Sequence, residues 1–248
     1  MPVSRIIISL AGIAIIGVVA IAAGWYFFIR SDAQLATEPP AIPQDLVDAT
    51  ATPAPDTSDA AATDAPSGDM LTFQIISDRS EAAYFVGETL ASLGIPSTAK
   101  GATTEVEGEV HLTADGSALA DGETSQFIVT LTSLASDESR RDDRVQEALD
   151  TGAFPTATFT ITSVTGYDPS IPEGEQQDLQ LTGTLDLHGV QREVTWEVEA
   201  LRQSNVITAL ATVTIAFADY DITPPNIGGF VSVGDEATLQ VQLVAEAV

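Results

Sequence analysis

The chain has no cysteine and, among its 248 residues, a single lysine, Lys100. Without thiols, disulfides, thiolate metal centres and cysteine nucleophiles are excluded, and so is a cysteine-borne lipid anchor. Positive charge is scarce: nine basic residues stand against 36 acidic ones, a formal charge of -27. Binding a phosphate backbone requires a basic face, so nucleic acid is not an expected partner, and docking on anionic lipid heads is disfavoured on the same ground. Histidine is limited to His111 and His188, whose spacing matches no metal-ligand motif, and no glycine-rich phosphate loop is present. Neither a metal nor a cofactor is expected. Acidic pairs such as Asp142-Asp143 and Glu197/Glu199 read as solvated surface charge in so acidic a chain, not as acid/base couples.

Ile6 to Ile29 is a charge-free run of 24 residues between Arg5 and Arg30. As a helix it would measure about 36 Å, enough to cross a hydrocarbon core of about 30 Å. Trp25, Tyr26, Phe27 and Phe28 at its far end suit a membrane interface. The run exceeds a signal-peptide core of about 7–15 residues, and no small-x-small site follows closely. Residues 1–30 therefore read as an uncleaved single-pass transmembrane anchor, with the remainder outside the cytoplasm, periplasmic or extracellular. Residues 31–69 are rich in Pro, Ala, Thr and Asp and poor in large apolar side chains. Such a segment buries too little surface to offset its ordering entropy and is expected to be a disordered linker, its ends roughly 35 Å apart.

Residues 70–248 alternate. In Leu179–Ala200, Leu179, Leu181, Leu185 and Leu187 share one face with Gly183, while Gln180, Thr182, Thr184 and Asp186 share the other. His188-Gly189 reads as a tight turn, after which Val194, Trp196, Val198 and Ala200 resume the apolar row. Thr72–Ser77, Ala82–Thr89, Val106–Leu112, Phe127–Leu131, Thr156–Gly166, Val206–Asp219 and Leu239–Leu243 follow the same pattern. Ser92–Ala102, punctuated by Gly, Pro and Ser, reads as a connection. About eight strands of this kind form an antiparallel sheet that wraps on itself. Its interior is either just filled by side chains or holds one small ligand. Asp137–Asp150 breaks the period and reads as a short surface helix with Ser136 as its cap. Its Arg140, Arg141 and Arg144 either meet a polar head group or pair with Asp137, Asp142, Asp143 and Glu147; pairing is the favoured reading.

Three segments, RRDDRVQEALDTGAFPTATF (140–159), LTGTLDLHGVQREVTWEVEA (181–200) and DITPPNIGGFVSVGDEATLQVQLVA (221–245), resemble the YceI family in content and order. Arg141-Asp142, Pro155 with Phe159, and Gly183, Leu185, His188 and Gly189 carry the match, which extends over roughly Leu71–Val248. Asp221 departs from it, standing where glycine is common. The resemblance implies an all-β fold, a lipocalin-like eight-stranded antiparallel barrel with an elongated apolar cavity. It also implies non-catalytic binding of a polyisoprenoid or isoprenoid quinone outside the cytoplasm, for storage, shielding or transfer. Alternation and size nominate the lining: Phe73, Phe85, Phe127, Val129, Leu131, Phe159, Ile161, Leu181, Leu185, Trp196, Val198, Phe217 and Phe230. Arg141 and Arg144 are the candidates for polar head-group contact. A structural or adhesive ectodomain with a filled core is the rival reading; a lipid head-group enzyme would need a converging polar constellation that the sequence does not display.

Overall fold

The strands that alternation marks out become one closed antiparallel sheet. The computed structural model describes residues 33–49, 70–90, 94–225 and 231–248. The apolar run 6–29, residues 50–69 of the linker and the lining candidate Phe230 lie outside them. Among the described residues no helix is long and apolar enough to cross a membrane.

The described strands are β1 (Met70–Ile75), β2 (Glu81–Leu90), β3 (Ile95–Thr103), β4 (Val106–Thr113), β5 (Gln126–Thr130), β6 (Ala135–Ser136), β7 (Thr156–Thr165), β8 (Gln177–Leu187), β9 (Val190–Gln203), β10 (Val206–Ala216) and β11 (Val231–Ala247). Eight of them form a ring in the order β1-β4-β5-β7-β8-β9-β10-β11, closed by β1 against β11 at Phe73↔Ala247 and Ile75↔Ala245. β11 is 17 residues long and pairs with three strands, β10 along one edge and β1 and β2 along the other. Its last residues close the ring, and Val231–Gln242 pair with β2, from which β3 and β6 extend the sheet. Ring closure removes the edge strands from these eight, and the free edge of the sheet passes to β3 and β6.

The β8–β9 hairpin has the register expected, from Leu187↔Val190 to Gln177↔Ala200. His188 at φ +55 and Gly189 at φ +73 give the two left-handed turn residues that match the twist of the flanking strands. His188 Nδ1 donates to the Tyr220 carbonyl at 2.9 Å, and the ring meets Phe154 edge-on, so this histidine is tied into the fold. Asp221 takes the left-handed conformation, φ +54, after the 3-10 turn Phe217–Tyr220. Aspartate tolerates that region, which is why it serves at a position where glycine is the easier choice.

Two local readings are corrected. Ser92–Ala102 is not a connection, since Ile95–Thr103 is a strand; Pro96 is accepted because, among the described residues, the only strand on the outer edge of β3 is β6 at Gly101 and Ala102. The surface helix runs Ser139–Ala148 and is capped by Glu138, whose side chain accepts the Arg140 N–H. Ser136 instead interlocks with Asp142, its N–H and hydroxyl both donating to the same carboxylate oxygen at 2.8 and 2.6 Å.

Residues 33–49, inside the stretch expected to be a disordered linker, lie against the barrel wall. Ala33 N–H donates to the Thr98 carbonyl, Asp45 pairs with Arg79 at 2.6 Å, and Gln44–Ala49 form a short helix. The main clasp is Gln240, an outward-facing residue of β11 that is 4% exposed. Its amide oxygen accepts the Ala36 N–H at 2.8 Å and its amide nitrogen donates to the Ala36 carbonyl at 3.0 Å. Pro39, Pro40 and Pro43 lower the entropy that such a strap loses on docking, because proline has little backbone freedom to give up. Gln240→Ala removes both bonds, and we expect amides 33–49 to lose protection from hydrogen exchange while the ring strands keep theirs. Unchanged exchange at 33–49 would show that the clasp is not what holds the strap.

Candidate functional site: an apolar barrel cavity

Alternate residues of the ring strands point inward and leave a cavity of about 340 Å³ along the barrel axis. That is within the usual range for small-ligand sites, about 300–1,000 Å³. Phe73 lines it from β1, Phe127 and Val129 from β5, and Leu131 from the turn that follows. Phe159 and Ile161 (β7), Leu181 and Leu185 (β8), Trp196 and Val198 (β9), and Phe217 after β10 complete the nominated residues on its wall. Trp196 and Phe159 stand together at mid-height, ring centroids 5.8 Å apart and tilted by 56°. The Trp196 Nε1–H is buried without an acceptor.

Phe85 is the exception. On β2 the inward positions belong to Tyr84, Val86 and Glu88. Phe85 therefore faces outward, where it is buried with the Lys100 ammonium 5.8 Å from its ring centroid. A one-residue change of phase moves a side chain to the opposite face of a strand, and adjacent Tyr84 and Phe85 offer both phases.

The small inward residues divide into two kinds. A Cβ on Gly183 would strike the Thr160 carbonyl and the Phe159 ring, and one on Gly108 would strike the Gln126 carbonyl, so their space is already taken. Ala157 and Ala200 do border the cavity.

Charged side chains on the wall sit at its two ends. On β8–β9 the His188-Gly189 turn marks one end, and the pairing Gln177↔Ala200 lies near the other. At the turn end, Glu88 and Arg141 are both buried, 6% and 7% exposed. Arg141 Nε donates to Glu88 at 3.4 Å, and Arg141 Nη1 donates to Asp137 and to the Ser136 hydroxyl. Tyr84 lines the wall here; burial pushes its phenol well above the usual tyrosine range, with Arg141 pulling the other way. Arg144 also borders this end, is largely exposed, and pairs with Glu147 at 2.8 Å. Both arginines are thus engaged by acids of their own helix region. His111 is tied to Thr72 at 3.1 Å, and no cluster of three metal-ligating side chains occurs among the described residues.

At the opposite end the wall is built from Arg202, Gln177, Tyr167 and the turn Gly116–Ala118. Asp115 braces that turn: Thr113 Oγ1, Ser117 N–H and Ser117 Oγ all donate to its carboxylate, which holds its pKa down at about 2. Because the folded pKa is depressed, the stabilisation is present above the ordinary carboxylate range and is lost as pH falls through about 2. We expect the Asp115 carboxyl resonance to titrate near 2 and the 113–118 amides to loosen over the same interval. A midpoint near 4 would show that the turn is not braced this way.

A family model for the YceI-like domain matches residues 73–245. The chain belongs to the YceI-like domain family. The YceI protein of Escherichia coli O17:K52:H18 is 34% identical over 79 residues, covering 31% of this chain and 37% of that protein. The chain thus matches well under two thirds of that relative's length. Among solved structures, a polyisoprenoid binding domain from Saccharophagus degradans, implicated in plant cell wall breakdown, aligns with TM-score 0.56 and 18% identity, covering 72% of this chain and 99% of that one. BcnA of Burkholderia cenocepacia aligns with TM-score 0.51 and 18% identity over 68% of this chain and 98% of that one. These likenesses agree with the closed barrel described above. In this YceI-like domain, Glu88 and Arg202 are cavity residues that a search for apolar alternation passes over. The signal for both is phase. Glu88 continues Tyr84 and Val86, and Arg202 continues Trp196, Val198 and Ala200.

Proposed function

We propose that the chain binds one isoprenoid-type lipid, a polyisoprenoid or isoprenoid quinone, in the barrel cavity and stores, shields or hands it over without a catalytic step. The continuous apolar cavity carries this reading. A filled-core adhesive domain would have packed that space, and protein interiors ordinarily leave few voids larger than a water. Each CH₂ withdrawn from water contributes about 0.8 kcal/mol, so several isoprene units bind firmly with little polar contact. The polyisoprenoid binding ascribed to the Saccharophagus relative supports the same ligand class. Among the described residues Glu88 is the one acid on the cavity wall and no histidine lies on it, so no acid/base step is assigned. We further propose that the run 6–29 anchors the chain in a membrane with the barrel outside the cytoplasm.

Native mass spectrometry with organic extraction, on the full chain purified from its source, tests the reading. A co-purifying isoprenoid near one per chain is the expected result. A chain that is empty and takes up neither added quinone nor added polyprenol overturns it.

A further inference from the structure

Arg202 breaks the chemistry of the row it belongs to. On β9, Trp196, Val198, Ala200 and Arg202 all face the cavity, three apolar residues followed by a permanent cation. Its Cζ lies 5.5 Å from the Phe73 ring centroid, and Gly116 opposite leaves the room that the guanidinium occupies, since a Cβ there would collide with Nη1. The Arg202 Nε–H is buried with no acceptor. Among the described residues no carboxylate lies within ion-pair distance of Arg202, whereas Arg141 at the other end has Glu88 and Asp137. In a chain with 36 acidic residues, a cavity-facing arginine left without one is a distinct arrangement.

We propose that Arg202 anchors an anionic head group, phosphate or carboxylate, of a lipid whose chain occupies the cavity; this rests on the lipid-binding reading above. A partly desolvated cation without a counter-charge is costly, and an incoming anion removes that cost. The guanidinium fork suits the paired oxygens of phosphate or carboxylate, and the Phe73 face holds the fork in place. Gln177, on the same end of the wall, adds a neutral side-chain amide donor. From Arg202 to Trp196 the strand advances six residues, roughly 20 Å of apolar wall at about 3.3 Å per residue. The lipid therefore lies with its head at Arg202 and its tail toward Trp196 and the surface-helix end. The net charge of -27 disfavours free small anions, so only an anion carried on a buried apolar chain is retained.

The test compares geranylgeranyl monophosphate with geranylgeraniol, the same hydrocarbon without the charge, on the full chain. The native protein is expected to bind the phosphate at least tenfold more tightly. Arg202→Gln abolishes that preference, and an unchanged circular dichroism spectrum shows that the variant is folded; Arg202→Lys keeps part of the preference. Arg192→Gln, an equal loss of charge at the exposed turn end of β9, keeps it. Alcohol binding with no phosphate preference in the native chain, or a preference that survives Arg202→Gln, overturns the Arg202 anchor alone. Failure of both ligands to bind overturns it together with the lipid-binding reading.

Discussion

Arg141→Met should destabilise the protein by about 3–5 kcal/mol, the usual consequence of leaving a buried ionic partner uncompensated. Glu88 is the reason: it is 6% exposed, and Arg141 supplies the ion pair that neutralises it. For a domain of this size each kcal/mol moves the melting temperature by about 2–4 °C, so a fall of roughly 6–20 °C is expected in a thermal scan. The double variant Glu88→Leu/Arg141→Met should recover most of that loss, because removing both charges also removes their desolvation. If the single variant melts within a degree or two of the native chain, Glu88 is reached by water and the pair is peripheral. If the double variant is no better than the single one, Arg141 acts through Asp137 and Ser136, its other partners.

Ala211→Phe should abolish lipid retention while leaving the barrel intact. Ala211 faces the cavity from β10, between Val198 on β9 and Val241 on β11, both also on the wall. A phenyl group there projects into the void and excludes several carbons of any bound chain. At about 0.8 kcal/mol for each CH₂ displaced, four of them amount to about 3 kcal/mol, or more than a hundredfold in affinity. Because the new ring fills space and does not displace side chains, the melting temperature of the lipid-free protein should hold or rise. Organic extraction of the two proteins side by side is the measurement. Equal lipid recovery from both would place the lipid somewhere other than this cavity.

How much of this was legible in the sequence differs element by element. The β8–β9 hairpin was plain, because its outer face is wet and so Leu-Gln-Leu-Thr and Val-Thr-Trp-Glu spell out both faces. On β10 and β11 the outward faces are not all wet: Thr208 is 0% exposed, and Leu210, Val244 and Gln240 are also buried. Alternation does not reveal what will cover a second face. Residues 33–49 were read as too poor in apolar side chains to dock, yet docking here relies on prolines, the bidentate amide of Gln240 and an ion pair. Composition counts the prolines only as a mark of disorder and sees neither the amide nor the ion pair. Most of the cavity wall followed from phase and size; Phe85 failed because two neighbouring aromatics compete for one inward position. Arg202 was visible as the fourth member of an inward row, but a cation at a strand's end looks like ordinary surface until the register places Phe73 and Gly116 around it.

The clasp at Gln240 changes the reach of the molecule. Only Ser31 and Asp32 separate Arg30 from Ala33, which is bonded to Thr98 on the barrel wall. With residues 6–29 in a bilayer, as proposed, the leash is then about 10 Å at full stretch, not the roughly 35 Å of a free coil from 31 to 69. The volume that the barrel can explore shrinks roughly fortyfold, and its effective concentration at the bilayer surface rises in proportion. If the barrel carries lipid as proposed, it would exchange cargo with the sheet of lipid beside it, and undoing one glutamine clasp would lengthen its stride.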